Sequence, residues 1–424
     1  MPTLQELTKE QLQQFINQCE SEYNAYKAQN LQLDMSRGKP GADQLDLTAA
    51  LLDAPIGDLY RTKNGFDTRN YGLLDGIPEA KKLFADLLEV PVDAVLVGGN
   101  SSLNLMYDYI SQAYTHGLGG NTPWCKQDEI KFLCPVPGYD RHFAITERFG
   151  ISMIPVAMTK DGPDMDTVES LITDPTVKGM WCVPMYSNPD GITYSDETVR
   201  RLAKMSPAAP DFRIMWDNAY FIHHLNDQHD SLLNLYNEAR NYQHEDMVIE
   251  FASTSKITFP GAGVAALVAS PSNLTEIKSR LTIETIGYDK INMLRHVRFF
   301  KNADAVHEHM KLHAAILAPK FRLVLDILQN RLGNLGIADW HKPNGGYFVS
   351  VNLLDGSASE TVRLLKEAGV VITPAGATFP YHRDPNDSNL RLAPSYPPLN
   401  ELQTAMELFC ICAQLACAKK LLNA

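Results

Sequence analysis

The sequence predicts an α/β fold: a seven-stranded, mostly parallel sheet with helices on both faces, joined to a smaller α+β unit. Three observations carry this. Short apolar runs at Val95–Val97, Lys131–Pro135, Ser152–Ala157, Gly179–Pro184, Arg213–Asp217, Val248–Ala252 and Val264–Ala269 read as strands. Segments with helical features separate several of them, such as Asp164–Thr173 and Ser195–Met205, and strands alternating with helices build a sheet covered on both sides. After about residue 295 the alternation gives way to a long polar helix, Asn302 to Arg331, followed by short strands and helices.

In chain order, residues 4 to 30 read as an amphipathic helix with Leu4, Leu7, Leu12, Phe15 and Ile16 on one stripe. Asp34 to Gly41 is a loop by its glycine and proline content, and it carries Arg37 and Lys39. A second loop, Asp67 to Gly76, leads into a helix with Pro78 in its first turn. The strand Val95–Val97 ends in Gly98-Gly99-Asn100-Ser101-Ser102 and passes into another helix. Only the turn Ser253–Gly263 separates the last two strands of the large sheet, so that pair is a candidate for antiparallel pairing. Further on, Gly345–Val351, Val370–Thr373 and Asn389–Ala393 read as strands, and Glu360–Ala368 and Leu399–Leu422 as helices. The expected organisation is a large unit over 46–294 and a smaller one from 1–45 with 295–424.

Composition narrows the function classes. A net charge of −12, with no basic stripe, argues against nucleic acid or an anionic membrane as partner. No apolar run approaches the roughly 18 residues of a membrane span, and the first residues lack the basic, then apolar, pattern of a signal peptide. A cytoplasmic protein is expected. Seven cysteines show neither CxxC pairs nor zinc spacing, and read as small buried hydrophobes in a reducing compartment. His309 and His313 stand four apart but do not spell HExxH; a solvated helix face is expected there, loop positions for His223 and His224, and no metal site.

In an open α/β sheet, ligands bind beyond the carboxyl ends of the strands, which directs attention to five segments: Gly98–Ser102, Pro135–Tyr139, Tyr186–Gly191, Asp217–Tyr220 and Ser253–Lys256. Gly99-Asn100-Ser101-Ser102 offers free N–H groups and hydroxyls at a helix start, which suits a phosphate, but lacks the GxGxxG spacing. Asp217 ends a buried strand, where it is either a helix cap or an anion facing a protonated ring nitrogen. Asn188-Pro189-Asp190-Gly191 reads first as a turn and second as a donor site. Lys256 sits on a polar turn between two buried strands. It is either a solvated strand end or an amine whose pKa burial lowers so that it serves as a nucleophile.

Taken together, the phosphate cradle, Tyr139, Asn188, Asp217 and Lys256, each at a strand end and in this order, resemble the class I and II aminotransferases. These are the pyridoxal-phosphate enzymes of fold type I. The resemblance spans nearly the whole chain, from Arg37-Gly38 to Arg391, and is most specific in NPDG at 188–191, DNAY at 217–220 and STSK at 253–256. It implies that Lys256 forms the internal aldimine and then shuttles the proton at the substrate Cα. Asp217 would hold the pyridine nitrogen protonated, with His142 as its partner. Tyr220 and Asn188 would bond the ring oxygen, and Tyr139 would stack on the ring. Ser101, Ser102, Ser253 and Ser255 resemble phosphate positions, and Tyr71 the tyrosine that reaches the neighbouring subunit's phosphate, which implies a homodimer with shared sites. Arg391 and Gly38 would hold the substrate α-carboxylate.

One departure stands out in the comparison with the family. Relatives place an arginine just beyond the lysine to neutralise the phosphate, whereas Gly261-Ala262-Gly263-Val264 contains none. Hydroxyls such as Thr258, or a cation from elsewhere, would have to serve. The arginine-free turn, with Asp289-Lys290-Ile291-Asn292 and Leu294–Phe299, resembles a divergent bacterial aspartate aminotransferase subgroup. The resemblance implies transfer of the amino group of aspartate, or a related dicarboxylic amino acid, to 2-oxoglutarate by a ping-pong route. Lys290, from the partner subunit, is the candidate for the distal carboxylate, with Arg37 and Arg141 as competitors. Alternatives are a pyridoxal-phosphate β-lyase or decarboxylase, an aminotransferase of aromatic or broad specificity, and a non-catalytic cofactor-binding regulator.

Overall fold

The computed structural model describes residues 3–53 and 60–423. Its central sheet has eight strands: β1 Val95–Val97, β2 Lys131–Val136, β3 Ser152–Thr159, β4 Gly162–Pro163, β5 Val177–Cys182, β6 Arg213–Asp217, β7 Val248–Ser253 and β8 Ala265–Val268. They lie in the order β1-β8-β7-β6-β5-β2-β3-β4. From β7 to β3 all neighbours are parallel. β8 runs antiparallel between β7 and β1, as the tight turn at Lys256 requires. The count of seven is thus corrected to eight. The added β4 is a two-residue edge strand folded back on β3, too short to show any period in sequence.

Register decides where side chains emerge. Asp217 on β6 pairs with Phe251 on β7, so the end of β6 and the Ser253–Lys256 turn reach the same sheet edge. β5, β6 and β8 are buried at every position, as strands covered on both faces must be. Neighbouring residues feed opposite faces: Leu133, Ile214 and Trp216 pack in one cluster, Phe132, Met215 and Phe251 in another.

Helix starts follow their side chains. Thr8 and Gln11 bond each other's backbone N–H groups and open the helix Lys9–Lys27, so the single helix expected over 4–30 is split from a short 3-10 turn, Leu4–Glu6. Asp164, Ser195 and Asn302 cap Met165–Leu171, Asp196–Lys204 and Ala303–Arg331.

A third cluster joins the N-terminal helix, the closing helix Leu399–Leu422 and a smaller antiparallel sheet, Ala338–Trp340, Val349–Leu353 and Asn389–Leu392. Leu33–Asp34 adds a parallel pair with Val370–Val371. Neither Leu33–Asp34 nor Ala338–Trp340 was expected as a strand. The strand expected from Gly345 begins only at Val349, because Gly345 and Gly346 pair instead with His224 and His223. Six cysteines are buried thiols; Cys125 is exposed, which corrects its reading as a buried hydrophobe.

Candidate active site

The carboxyl ends of the central strands open on a cavity of 920 Å³, closed on its other side by the 36–39 loop, Phe348, Thr373 and Arg391. Ser101, Ser102, Tyr139, Asn188, Asp217, Tyr220, Ser253, Ser255 and Lys256 all line it, with Gly38 opposite. Nine residues singled out at strand ends therefore meet in one space, although they span more than a third of the chain.

Lys256 Nζ lies inside this wall, 4.9 Å from the Tyr220 ring centroid and 6.0 Å from that of Tyr347. Burial lowers its pKa, and the nearby Asp217 charge partly offsets this. The reading of Lys256 as a solvated strand end is therefore set aside. Asp217 Oδ2 lies 3.0 Å from His142 Nε2, and the His142 ring stacks on Trp181 at 4.3 Å. Asp217 Oδ1 is buried without a hydrogen-bond partner among the described residues. A buried carboxylate oxygen in that condition is costly unless a donor arrives from the cavity. Burial also raises the Tyr220 hydroxyl well above its ordinary pKa, so it stays protonated and can donate.

Arg391 is held from three sides. Its Nη1 donates to Asp140 Oδ1 at 2.9 Å and to Asn188 Oδ1 at 3.1 Å, and its Nε donates to Thr373 Oγ1 at 3.2 Å. With Asn188 Oδ1 so engaged, the amide nitrogen is the atom left to face the cavity. Asp140, which the sequence reading passed over, is a carboxylate already seated on the arginine expected to bind a carboxylate; its only signal was its place directly after Tyr139. Gly38 must be glycine because the Phe348 ring would stand 2.4 Å from a Cβ there.

At the phosphate end, the helix Ser102–His116 starts at the cavity, and Ser101 caps it by accepting from Leu103 N at 3.2 Å. Ser253 Oγ and Ser255 Oγ are 3.1 Å apart on the facing turn. Thr258 is not on the wall: it is fully buried, with Oγ1 2.9 Å from His296 Nε2, so it is corrected to a prop of the turn. Tyr71 is 76 % exposed and also lies off the wall. Lys290 is buried beside Tyr288, its Nζ donating to the Tyr288 carbonyl at 3.3 Å, and does not line this chain's cavity. Arg37 and Arg141 do.

The histidines depart from expectation. His309 and His313 are buried, not on a solvated face, and both Nε2 atoms stand 3.1 Å from the Ile257 carbonyl oxygen. His223 is buried between Tyr220 and Tyr347, and burial pushes its pKa well down. The four-residue spacing put His309 and His313 on one helix face, but nothing in it showed that this face is buried or that His223 lies near it.

A family model described as aspartate amino-transferase matches residues 7–424. An aspartate aminotransferase of Corynebacterium glutamicum is 46% identical over 422 residues, 99% of this chain and 98% of that protein. A crystal structure of an aspartate transaminase from the same species superposes with a TM-score of 0.97 at 45% identity, covering 99% of each chain. At 20% identity, and so for the fold alone, an α-aminoadipate aminotransferase from Thermus thermophilus, complexed with N-(5'-phosphopyridoxyl)-L-leucine, superposes with a TM-score of 0.72 over 92% of this chain and 93% of that one. By the family match over nearly the whole chain and these similarities, the chain belongs to the aspartate amino-transferase family, an aminotransferase family of pyridoxal-phosphate fold type I.

Proposed function

We propose that the chain exchanges an amino group between aspartate, or a related dicarboxylic amino acid, and 2-oxoglutarate, giving oxaloacetate and glutamate, with pyridoxal 5'-phosphate as cofactor. The observation that carries this is the pairing, across one cavity wall, of a half-buried lysine amine with a buried carboxylate oxygen that lacks a donor among the described residues. When bound, the cofactor supplies an aldehyde carbon for an amine and a ring that accepts electron density from the substrate Cα.

The residues fit that group. Asp217 Oδ1 would accept a hydrogen bond from a protonated ring nitrogen, and His142 fixes the carboxylate from behind, as an orienting partner does. Tyr220 Oη and the Asn188 amide nitrogen would donate to the ring oxygen, and Tyr139 would cover the ring face. Ser101, Ser102, Ser253, Ser255 and the N–H groups of the helix start hold the phosphate, with hydroxyls and the helix dipole in the place of an arginine. Lys256 Nζ, whose pKa burial lowers, would take the proton from the substrate Cα. Arg391 grips the α-carboxylate, which takes over from Asp140, and Gly38 N–H adds a donor. Both half-reactions use this one site, which makes the kinetics double-displacement.

Arg37 and Arg141 on the wall support a second carboxylate on the substrate, and Lys290 of a second copy is the further candidate. Tyr71, exposed and turned away from its own cavity, suits a homodimer in which it reaches the other copy's phosphate. A cytoplasmic location is part of the same proposal; separately, no helix among the described residues is long and apolar enough to cross a membrane. The test is Lys256→Ala, assayed for glutamate formed from aspartate and 2-oxoglutarate with cofactor present. Loss of turnover is expected, and full activity would sink the proposal.

A further inference from the structure

Behind Lys256 lies a buried polar chain that the reaction above leaves without a task. Gln44, on the helix Ala42–Asp46, presents its Nε2 to Tyr347 Oη at 2.8 Å and to His313 Nδ1 at 3.1 Å. Its Oε1 is already engaged, accepting from Gly41 N at 3.3 Å. An amide nitrogen only donates, so His313 Nδ1 accepts and the ring proton of the neutral imidazole sits on Nε2. That N–H donates to the carbonyl of Ile257, the residue directly after Lys256, at 3.1 Å. His309 Nε2 stands 3.1 Å from both the same carbonyl and His313 Nε2, closing a triangle in which one carbonyl oxygen faces both ring nitrogens. Gln44, His313, Tyr347 and Ile257 are all at most 1 % exposed, so water cannot substitute for any of these bonds.

The two ends of this chain bear on the same side chain. One end ties down the backbone that carries Lys256. The other holds the Tyr347 hydroxyl and thereby sets the ring that faces Nζ. The groups facing Nζ from the other elements are Tyr220, Asp217 and His223. His309 and His313 come from the long helix, Gln44 from the N-terminal segment and Tyr347 from the approach to Val349–Leu353, so three remote segments converge on one lysine. We propose that Gln44, His313 and His309 form a positioning relay that fixes Lys256 Nζ in the attitude needed for proton transfer. The inference rests on Lys256 being the reacting amine.

The test compares His313→Phe, which fills the space without a donor, with His313→Gln, which keeps an N–H at a similar reach. With His313→Phe, kcat is expected to fall by about tenfold or more with KM for the amino acid within about threefold, because misplacing a reacting group costs turnover before binding. In cofactor-free protein, the pH at which Lys256 becomes reactive to trinitrobenzenesulfonate, followed by peptide mapping, is expected to move in His313→Phe. His313→Gln is expected to restore most of both quantities. Wild-type kcat and reactivity in His313→Phe, or equal impairment in the two variants, would overturn the relay. Gln44→Met breaks the same chain from its other end and decides the matter if His313→Phe does not accumulate. Lys256→Ala separates the two ideas: activity there defeats the reaction itself, whereas an inactive Lys256→Ala beside an unimpaired His313→Phe defeats only the relay.

Discussion

Asp217 has one oxygen on His142 and the other free, an arrangement that makes the carboxylate stiff on one side and reactive on the other. Asp217→Asn keeps the shape and removes the charge, so kcat is expected to fall by about 10²–10³ while the melting temperature barely moves. A kcat within about threefold of wild type would remove Asp217 from the chemistry. A second carboxyl, Glu250 on β7, is buried beneath Asn218, whose Nδ2 donates to it at 2.8 Å. Burial pushes Glu250 up from 4.5 to about 7. The unfolded chain therefore loses this proton first as pH rises. The stability contribution is whole below about pH 4.5, is lost between about pH 4.5 and 7, and then levels off, by roughly 3 kcal/mol in all. Glu250→Gln is expected to match wild type near pH 4.5 and to exceed it at pH 8 in denaturant midpoint; equal midpoints at both pH values would contradict this.

At the scale of elements, the strands set positions and the caps set directions. Asn302 Oδ1 accepts from Ala305 N at 2.9 Å and starts the helix that carries His309 and His313. Asn302→Ala is expected to cost about 1 kcal/mol of stability in denaturant unfolding, with activity under native conditions retained. A buried trio anchors β5: Lys178 Nζ lies 2.8 Å from Asp211 Oδ1, and Trp124 Nε1 donates to Asp211 Oδ2 at 2.9 Å. Lys178→Met leaves Asp211 charged and only half satisfied, so a loss of about 3–5 kcal/mol is expected on the same measurement. A loss below about 1 kcal/mol would mean that Asp211 takes up a proton instead.

Across the whole molecule, three of the exposed apolar side chains lie on neighbouring segments. Tyr71, Ile283 and Ile286 are 76 %, 89 % and 61 % exposed. Their segments touch, since the Gly72 carbonyl would stand 2.7 Å from a Cβ on Gly287. An apolar patch of this kind suits a second copy of the chain. If the proposed homodimer uses this patch, Ile286→Asp is expected to shift sedimentation from dimer to monomer and to lower activity with it, because Tyr71 would no longer reach a second site. A variant that remained dimeric and fully active would move the interface elsewhere.

Much of this was legible in the chain itself. The strand ends were readable because a buried strand is a run of apolar residues and the residue after it is abruptly polar; Asp217 after Ile214-Met215-Trp216 and Lys256 after Phe251-Ala252 are of this kind. Strand order and orientation, by contrast, depend on register and crossover, and β4 was too short to announce itself. The sequence by itself determined the α/β class, the strand-end residues and the missing arginine after Lys256, because each is a matter of local pattern. Only the tertiary structure decided that Asp140 sits on Arg391, that Thr258 turns away from the cavity, and that His309 and His313 face inward onto Ile257. Those are contacts between segments far apart in sequence, and burial of a polar side chain follows from the partner that meets it, which no local pattern encodes.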